Sequence, residues 1–428
     1  MTELRRVHIG VQYNAEDPHE IWHREHLPSI NTRESFERAA EVAERALFDF
    51  YFQAETSTIG EGPDGPLEPN VSGRADNITA QSFLAARHPH LGFVSTINTT
   101  YNNALDIAKR LGSLDAIAPG RAGWNLVLGG SPLAYRNYRP LPEPIRADDG
   151  PFDRYRYGLE VLEAVRGYLG GGDRFEYRGE YLDIDARPLR IGAPSDPFVF
   201  YAGGSGRSRD FAAANADAIY SHFSNLEHGP RFTRDMHERL RRFGRDPERF
   251  KVFSRVAVIA AESDADAREL ERDILPFQVH PDTVLAVIRA VWGPGYEDFD
   301  VDGSLPSADP PEGAETGSVG SLLGMYWEGD ARRAAKHLRA LQDRTGFGAR
   351  QTIVHASGTD LIVGGPATVA GRLSELVQRR ATDGFVIVPH IAGTWLEPFA
   401  ELVVPELQAM GVYPEEYRAE SLRERVLA

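Results

Sequence analysis

The sequence of 428 residues predicts an α/β fold of the (β/α)8 or TIM-barrel type, and three observations lead to that prediction. Short β-rich runs alternate with longer amphipathic segments along the chain, eight such runs occur, and polar side chains recur where the runs end. Alternating strands and helices indicate a parallel sheet covered by helices, and eight such units can close into a barrel. We therefore expect a functional site at the carboxyl ends of the strands.

Short runs of β-branched, aliphatic and aromatic residues predict the strands. In chain order they are VHIGVQY (7–13), FDFYFQA (48–54), LGFVSTI (91–97), AGWNLVL (122–128), PFVFYAG (197–203), ADAIYSH (216–222), VFSRVAVIA (252–260) and GFVIVPH (384–390). Apolar residues that recur at spacings of three and four predict the helices between them. The clearest of these patterns are RESFERAAEVAERAL (33–47), NNALDIAKRLGSLD (102–115), RYGLEVLEAVRGYL (156–169), RDFAAANA (209–216) and PATVAGRLSELVQRR (366–380).

Two segments interrupt this rhythm and predict insertions. Residues 173–191, DRFEYRGEYLDIDARPLRI, contain two alternating runs around Arg-Gly, which is typical of a surface hairpin. Residues 292–325 are rich in Gly, Pro and acidic residues and are too long for an ordinary connection. This acidic loop fits an active-site lid or a disordered surface insertion, and the sequence leaves both open.

Length and composition restrict the class of protein. The chain could form one large α/β domain or two ordinary ones, and the recurrence of strand and helix patterns from end to end favours a single domain over residues 1–428. The net charge of −16 argues against a nucleic-acid partner, because phosphate binding needs clustered basic residues. No apolar run approaches a membrane span and the N-terminus lacks the apolar segment of a signal peptide, so we expect no membrane association and a cytoplasmic location.

The stretch FVFYAGGSGRSRDFAAANADAIY (198–220) predicts a site for an anion. A β-rich run ends at Gly203, Gly204, Ser205 and Gly206, and a helix begins directly afterwards. Small residues let a ligand approach the backbone, and a helix N-terminus offers unpaired N–H groups. The P-loop ending and the last Gly of a dinucleotide fingerprint are missing, so a single phosphate, as on a mononucleotide, fits better. The alternative that this turn is purely structural and binds no ligand stays open, because many strand–helix turns contain Gly and Ser.

Further polar residues stand where predicted strands end. They are Glu55, Thr96, Asn98, Asn125, His222 and His390. Asn125 stands out because it follows Trp124 in a run that should be buried, where an amide needs a partner. Each residue alone could be structural, but clustering at one face of a barrel favours a ligand site.

The spacing of residues does not match the motifs of other common catalytic or metal sites. The sequence has no cysteine, which excludes disulfides, thiolate metal sites and a cysteine nucleophile. HPH (88–90) is not an HExxH zinc motif, no GxSxG elbow is present, and no strand ends clearly supply the carboxylate pair of a glycosidase. We expect no metal site, and chemistry that uses other side chains or a borrowed cofactor.

Several segments resemble one known family in the same order along nearly the whole chain. GRAGWNLV (120–127) resembles the GGRxGWNxVTS segment of flavin-dependent monooxygenases in the nitrilotriacetate and dibenzothiophene-sulfone monooxygenase branch of the bacterial-luciferase-like superfamily. The other matching segments are AERALFDFYFQAET (43–56), TTYNNALDIAKRLGSLD (99–115), AGGSGRSRDFAAANADAIY (202–220), VGGPATVAGRL (363–373) and the tail from DGFVIVPH to LRERV (383–426).

This resemblance implies a (β/α)8 barrel that binds reduced FMN supplied by a separate NAD(P)H:flavin reductase. In the family, O2 adds to the flavin C4a atom, and the resulting peroxide or hydroperoxide oxygenates a small organic substrate. Such a cofactor supplies the difficult chemistry, so the protein has to hold it, exclude water and place the substrate. Family members commonly form dimers or tetramers, which implies a homodimer or homotetramer here.

The resemblance also assigns residues. Gly204, Ser205 and Gly206 match the turn that takes the FMN phosphate. Thr96, Asn98 and Asn125 match polar residues near the isoalloxazine, and Glu55 stands where the family has Asp. Phe152 stands where the family has a Tyr that helps to hold the phosphate, and Arg207 or Tyr155 could compensate for that loss. Leu128 and Gly129 replace a Thr-Ser pair, so two hydroxyls near the flavin are missing.

The predicted function is that of a two-component FMN-dependent monooxygenase. His222 and His390 are the candidate catalytic residues, because an imidazole titrates in the range useful for exchanging a proton or steadying the peroxide oxygen. The alternatives are a deazaflavin (coenzyme F420) oxidoreductase on the same fold and a flavin-binding protein without oxygenase turnover. The sequence does not give the substrate or the type of oxygenation.

Overall fold

The computed structural model describes residues 4–13, 32–55, 61–62, 65–66, 75–129, 138, 152–192, 196–221, 225–274, 281–314, 330–356, 360–388 and 395–427. Its strands are β1 (His8–Gln12), β2 (Phe50–Gln53), β3 (Glu61–Gly62), β4 (Gly65–Pro66), β5 (Gly92–Asn98), β6 (Ala122–Val127), β7 (Phe175–Arg178), β8 (Asp183–Ala186), β9 (Phe198–Ala202), β10 (Ala218–Ser221), β11 (Lys251–Ala260), β12 (Asp360–Gly364) and β13 (Gly384–Val388).

Eight parallel strands close into a barrel in the order β1, β2, β5, β6, β9, β10, β11 and β13, and β13 pairs with β1. Each of the eight predicted strands is present, so the barrel prediction is confirmed. A strand that the sequence analysis missed, β12, pairs with the far end of β11 from Val256 to Ala260. The strands β3 and β4 form a short antiparallel pair.

Helices cover the outside of the barrel. They are α1 (Arg33–Arg45), α2 (Asn77–Ala85), α3 (Ala104–Ile117), α4 (Arg154–Leu169), α5 (Gly206–Asn215), α6 (Gly229–Arg242), α7 (Asp264–Ile274), α8 (Pro281–Trp292), α9 (Ala331–Thr345), α10 (Ala349–Ala356), α11 (Pro366–Gln378), α12 (Leu396–Pro398), α13 (Val404–Ala409) and α14 (Leu422–Leu427). A 3₁₀ turn spans Pro247–Arg249, and a π-helical segment, Phe399–Val403, joins α12 to α13. None of the described helices is both long and apolar enough to span a bilayer.

Side chains at the helix starts explain where several helices begin. The side chains of Thr32, Asp76, Asn103, Asp153, Ser205 and Asp330 accept hydrogen bonds from backbone N–H groups of the first helical turn. Such caps satisfy donors that have no partner inside the helix. The five predicted amphipathic helices are present as α1, α3, α4, α5 and α11.

Aromatic side chains fill the interior of the barrel. The ring of Phe253 lies 5.1 Å from Phe50 and 5.3 Å from Phe200, and all three rings are fully buried. Alternate residues of the same strands point outward: Trp124 lies in the layer between strands and helices, and its indole N–H donates to the Ile97 carbonyl at 3.0 Å. The alternation of a strand therefore explains why Trp124 and Asn125 can be neighbours in sequence.

The C-terminal helix α14 closes the amino end of the barrel. Leu422 and Val426 belong to the interior cluster, and a Cβ at Gly92 would lie 2.8 Å from Leu422. Arg425, 2% exposed, donates to the Asp49 carbonyl at 3.1 Å and to the His90 carbonyl at 2.6 Å. This helix therefore acts as a plug that leaves the opposite end of the barrel for a site.

The hairpin predicted over residues 173–191 is confirmed as β7 and β8. Glu160 is fully buried and accepts hydrogen bonds from the backbone N–H groups of Glu180, Tyr181 and Leu182 at 2.8 to 2.9 Å. One carboxylate on α4 thus fixes the turn of the hairpin, because charge-assisted hydrogen bonds are the strong ones.

The acidic loop predicted over residues 292–325 is described as far as residue 314. This part packs against α9, where Arg339 donates to the Pro306 carbonyl at 2.9 Å and to the Asp309 carboxylate at 2.7 Å. The indole of Trp292 donates to the Ala308 carbonyl at 2.9 Å. Residues 293–314 are therefore an ordered covering of α8 and α9, and a role of the loop as a lid stays a prediction.

Shortening Leu422 should destabilise the fold. Leu422→Ala removes a fully buried side chain from the plug, and we expect the free energy of unfolding to fall by about 2 to 5 kcal/mol in urea titration. Leu4→Ala is the matched control, because Leu4 is 56% exposed and its loss should change stability little. Equal stability of the two variants would contradict the role of α14 as a plug.

Candidate functional site

Thr96 and Asn125 form a polar pair inside the barrel near the carboxyl ends of β5 and β6. They lie opposite each other in the register of the two strands, and the Asn125 amide nitrogen donates to the Thr96 hydroxyl at 2.9 Å. Both residues are 4% exposed. The amide oxygen of Asn125 is buried and has no partner among the described residues, which costs about 1 to 3 kcal/mol. An amide left in this state is suited to accepting a hydrogen bond from a ligand.

Asn77, at the start of α2, is a buried polar residue beside the site that the sequence analysis missed. Its amide nitrogen donates to the Thr96 carbonyl at 2.8 Å and to the Gln53 carbonyl at 3.3 Å. It therefore joins the ends of β2 and β5. Within the part of the chain that the structure describes, the amide oxygens of Asn77 and Gln53 are both buried without a partner. No repeat or motif in the sequence marks Asn77, since the contact depends on the position of α2.

Glu55 follows β2 and is a titratable group at the same end of the barrel. Burial raises its pKa to about 7, and the charge of Asp76 adds to that rise. Arg110 and a backbone hydrogen bond from Asn98 act in the opposite direction. One carboxyl oxygen of Glu55 is buried and meets no partner in the described ranges. The side chain can therefore hold or release a proton near neutral pH.

Asn98 and Gly129 lie against each other, which gives a physical reason for one departure from the family pattern. Gly129 has a φ of +67°, and a Cβ there would lie 2.5 Å from the Asn98 amide nitrogen. A hydroxyl-bearing residue at position 129 would overlap Asn98 in this arrangement. Leu128 packs outward against Gly158. A Cβ added at Gly158 would lie 2.2 Å from the Leu128 side chain.

The turn between β9 and α5 brings several hydroxyls together. The Ser205 hydroxyl caps α5 and accepts from the Ser208 backbone N–H at 3.2 Å, and the two serine hydroxyls lie 2.9 Å apart. The Tyr155 hydroxyl lies 3.0 Å from the Ser208 hydroxyl and 3.4 Å from that of Ser205. A Cβ at Gly206 would have no heavy atom within 4 Å, so the start of α5 is open to a ligand.

Two arginines lie on the ring of Tyr155. The guanidinium carbon of Arg207 lies 4.4 Å from the ring centre and that of Arg154 lies 5.3 Å from it. Arg207 also forms an ion pair with Asp153, and Arg154 donates to the Gly129 carbonyl at 3.1 Å. Burial by itself would raise the pKa of Tyr155, but hydrogen bonds with Ser205, Ser208 and Arg154 lower it. The turn thus combines hydroxyl donors, a helix N-terminus and positive charge.

Phe152 packs against aromatic rings, with its ring centre 5.5 Å from that of Tyr157 and 5.8 Å from that of Tyr181. The hydroxyl that faces Ser205 belongs to Tyr155, three residues further on. That Tyr155 compensates for Phe152 in holding a phosphate stays a prediction. A contact between Phe152 and a cofactor stays a prediction. His222 and His390 lie outside the described residues, and so their catalytic role also stays a prediction.

A second polar group on the opposite wall was missed by the sequence analysis. The Tyr220 hydroxyl on β10 donates to the Gln12 side-chain oxygen on β1 at 2.9 Å, and the charged residue Arg255 on β11 is buried. The alternation within VFSRVAVIA could have predicted that Arg255 faces inward, because Arg255 follows the apolar residue Phe253 by two positions. Among the described residues, no group of three His, Asp or Glu side chains is placed to hold a metal.

These contacts define what the site can do. The β9–α5 turn can bind a phosphate, the amide oxygen of Asn125 can accept a hydrogen bond from a polar ring, and Glu55 can exchange a proton. The three features lie at the ends of the neighbouring strands β2, β5, β6 and β9. This arrangement can hold a phosphorylated heterocycle.

Glu55→Gln should change how stability depends on pH. The pKa of Glu55 in the folded protein, about 7, exceeds the ordinary pKa of a glutamate, 4.5, so wild-type stability falls as pH rises from about 4.5 to about 7. At pH 5 the free energy of unfolding of Glu55→Gln should be similar to that of the wild type. At pH 8 it should exceed that of the wild type by roughly 2 kcal/mol.

Urea titrations at both pH values measure this difference. Glu41→Gln is the control, since Glu41 is exposed on α1 and should show no pH-dependent gain. A Glu55→Gln variant whose stability changes between pH 5 and pH 8 as much as that of the wild type would contradict the raised pKa of Glu55.

Comparison with known proteins identifies the family of the chain. The profile of the family described as Luciferase-like monooxygenase matches residues 17–383. The chain is 26% identical to N-acetyl-S-(2-succino)cysteine monooxygenase of Bacillus subtilis (strain 168), with 99% of this chain and 97% of that protein covered. It is 27% identical to nitrilotriacetate monooxygenase component A of Aminobacter aminovorans, with 99% and 94% covered. The crystal structure of DmoA from Hyphomicrobium sulfonivorans has the same fold, with a TM-score of 0.80, 23% identity and coverage of 99% and 92%. The chain belongs to the luciferase-like monooxygenase family of flavin-dependent enzymes.

Proposed function

We propose that this enzyme is the oxygenase component of a two-component FMN-dependent monooxygenase. It takes reduced FMN from a separate NAD(P)H:flavin reductase and uses O2 to oxygenate a small organic substrate. One relative is named as component A of its monooxygenase, which supports a role beside a second protein. We also propose a homodimer or homotetramer, on the family resemblance.

The observation that carries the proposal is the cradle formed by Ser205, Ser208 and Tyr155 at the start of α5. Their hydroxyls lie within 3.4 Å of one another, and Arg154 and Arg207 add positive charge at Tyr155. A terminal phosphate with two negative charges needs both hydrogen-bond donors and cations. Asp153 offsets part of the charge of Arg207, so Arg154 contributes as well.

The polar residues of β5 and β6 fit the ring of the same cofactor. The buried oxygen of Asn125 would accept a hydrogen bond from a ring N–H, and Thr96 holds the amide in that orientation through its hydroxyl. Bound reduced FMN supplies the electrons that activate O2. The protein orients the ring, excludes water and keeps a proton available at Glu55. His222 and His390 are the further proton donors that the sequence predicts.

Asn125→Leu should weaken binding of reduced FMN by about tenfold, because it removes the hydrogen-bond acceptor without changing the cradle. Anaerobic fluorescence titration measures the dissociation constant. Asn215→Ala is the control: the Asn215 amide donates to the Phe211 carbonyl one helical turn earlier, and its loss should leave FMN affinity unchanged.

Turnover is tested with FMN, NADH, a purified flavin reductase and isotopically labelled O2, over a panel of small organic substrates. We expect one labelled oxygen atom in a product only when both proteins are present. Binding of a deazaflavin in place of reduced FMN would favour the oxidoreductase alternative. Tight FMN binding with no labelled product would favour a flavin-binding protein without turnover.

A further inference from the structure

A pocket lies between α6 and the chain segment that follows α11. We call it the arginine pocket; its volume is about 270 Å³, and its polar lining is Thr233, Arg234, His237, Arg241, Arg379 and Arg380. The Thr233 hydroxyl donates to the Ala381 carbonyl at 3.3 Å, three residues before β13 begins. The arginine pocket therefore lies beside the amino end of β13, whereas Thr96 and Asn125 lie near the carboxyl ends of their strands.

One face of α6 supplies half of the lining. Arg234, His237 and Arg241 follow one another at spacings of three and four, so they stand on the same face of the helix. Met236 and Leu240 of the same helix are fully buried in the hydrophobic core. The face that lines the arginine pocket is thus distinct from the face that packs on the barrel.

The pocket side of α6 carries charge that has no carboxylate partner. On the side of α5, Arg239 pairs with Asp235 at 2.8 Å and with Asp210 at 2.6 Å. Arg234 and Arg241 are exposed, and no described residue forms a hydrogen bond or an ion pair with either side chain. The chain has 63 acidic and 47 basic side chains, so carboxylates are plentiful. Two unmatched guanidinium groups at one pocket are therefore suited to an anion from solution.

The other half of the lining comes from Arg379 and Arg380, directly after α11. Arg379 pairs with Glu375 at 3.3 Å and Arg380 pairs with Glu248 at 3.0 Å, and neither glutamate lines the pocket. Ion pairs between exposed side chains contribute little, so a ligand can recruit both arginines. Arg380 also has a φ of +54°, at a helix end where glycine is usual.

His237 is the buried polar group of the lining. It is 9% exposed, and its ring forms no hydrogen bond with any residue in the described part of the chain. Burial lowers the pKa of His237, and the charges of Asp383 and Glu248 act in the opposite direction. Arg380 and Arg241 add to the lowering. Buried polar groups normally have partners, so a neutral imidazole without one can bond to a ligand in the pocket.

We propose that the arginine pocket is a binding site for a small phosphate-bearing anion, separate from the flavin site. A phosphate group has up to two charges and three terminal oxygens, so it can accept hydrogen bonds from several guanidinium groups at once. A single carboxylate has one charge and two oxygens and would leave most of these donors unused. The inference does not depend on the proposed flavin chemistry, because none of the lining residues belongs to that site.

Calorimetry on the full chain without flavin tests the proposal. Orthophosphate, inorganic pyrophosphate and ADP distinguish a single phosphate, a diphosphate and a nucleotide, and citrate is the carboxylate comparison. Salt at about 0.15 M screens weak attraction to surface charges. The variants are Arg234→Gln and Arg241→Gln. Arg231→Gln is the matched control, because Arg231 is an exposed arginine of the same helix and does not line the pocket.

We expect the wild type to bind at least one phosphate compound with a Kd below about 1 mM and more tightly than citrate. Arg234→Gln and Arg241→Gln should each weaken that binding by about tenfold, since a hydrogen bond from a charged donor is lost. Arg231→Gln should keep the wild-type Kd within about twofold. The bound anion should raise the pKa of His237, which NMR of labelled histidine measures, with His237→Gln to assign the signal.

Three results would overturn the inference. They are phosphate compounds that bind no more tightly than about 1 mM or than citrate, a loss in Arg231→Gln equal to that in Arg241→Gln, and an unchanged His237 signal in the bound protein. Arg207→Gln separates the two anion sites and should leave this binding unchanged. A loss in Arg207→Gln that is absent in Arg241→Gln would assign the phosphate to the β9–α5 turn and would also overturn the inference. Circular dichroism establishes folding, and Arg234→Gln serves where Arg241→Gln does not fold.

Discussion

The aromatic packing inside the barrel determines where a site can lie. Phe50, Phe200 and Phe253 fill the middle of the interior, and α14 inserts Leu422 and Val426 from the amino end. Gly92 and Gly123 make room for this plug, since a Cβ at either position would lie within 3.2 Å of the Leu422 side chain. Ligand chemistry is thereby confined to the carboxyl ends of the strands, as in other barrels of this type.

The polar groups at this end are divided between two sides of the opening. The strands β5, β6 and β9 carry hydrogen-bonding groups and the β9–α5 turn, whereas β11 carries the buried charge of Arg255. Arg154 and Arg207 place positive charge at the β9–α5 turn of a molecule whose net charge is −16.

The segment GRAGWNLV shows how much of the fold and site the sequence could predict. Its apolar character predicted β6, and the amide of Asn125 among apolar residues predicted a site residue. Arg121 has a different role: it donates to the His88 and Leu91 carbonyls at 2.7 and 2.8 Å, away from the site. Position within a motif therefore does not distinguish a structural residue from a ligand-binding one.

Other features depend on tertiary contacts that local patterns do not contain. Asn77 acts through the placement of α2 beside β5, and Tyr155 faces Ser205 because of the rotation of α4. The strand β12 is short and ends in glycine, so its run gave only a weak strand pattern. Arg255 could have been found by following the alternation of β11 beyond Phe253, since an inward charge in a barrel strand is unusual.

The most direct test of the account is the ratio of FMN to riboflavin affinity in wild type and in Arg207→Gln, because the two flavins differ only in the phosphate. Both are titrated in reduced form, so contributions of the ring cancel. The account predicts that wild type binds FMN at least about a hundredfold more tightly and that this ratio falls about tenfold in the variant, while riboflavin affinity is unchanged. Equal affinity of the wild type for the two flavins would contradict the phosphate cradle at Ser205.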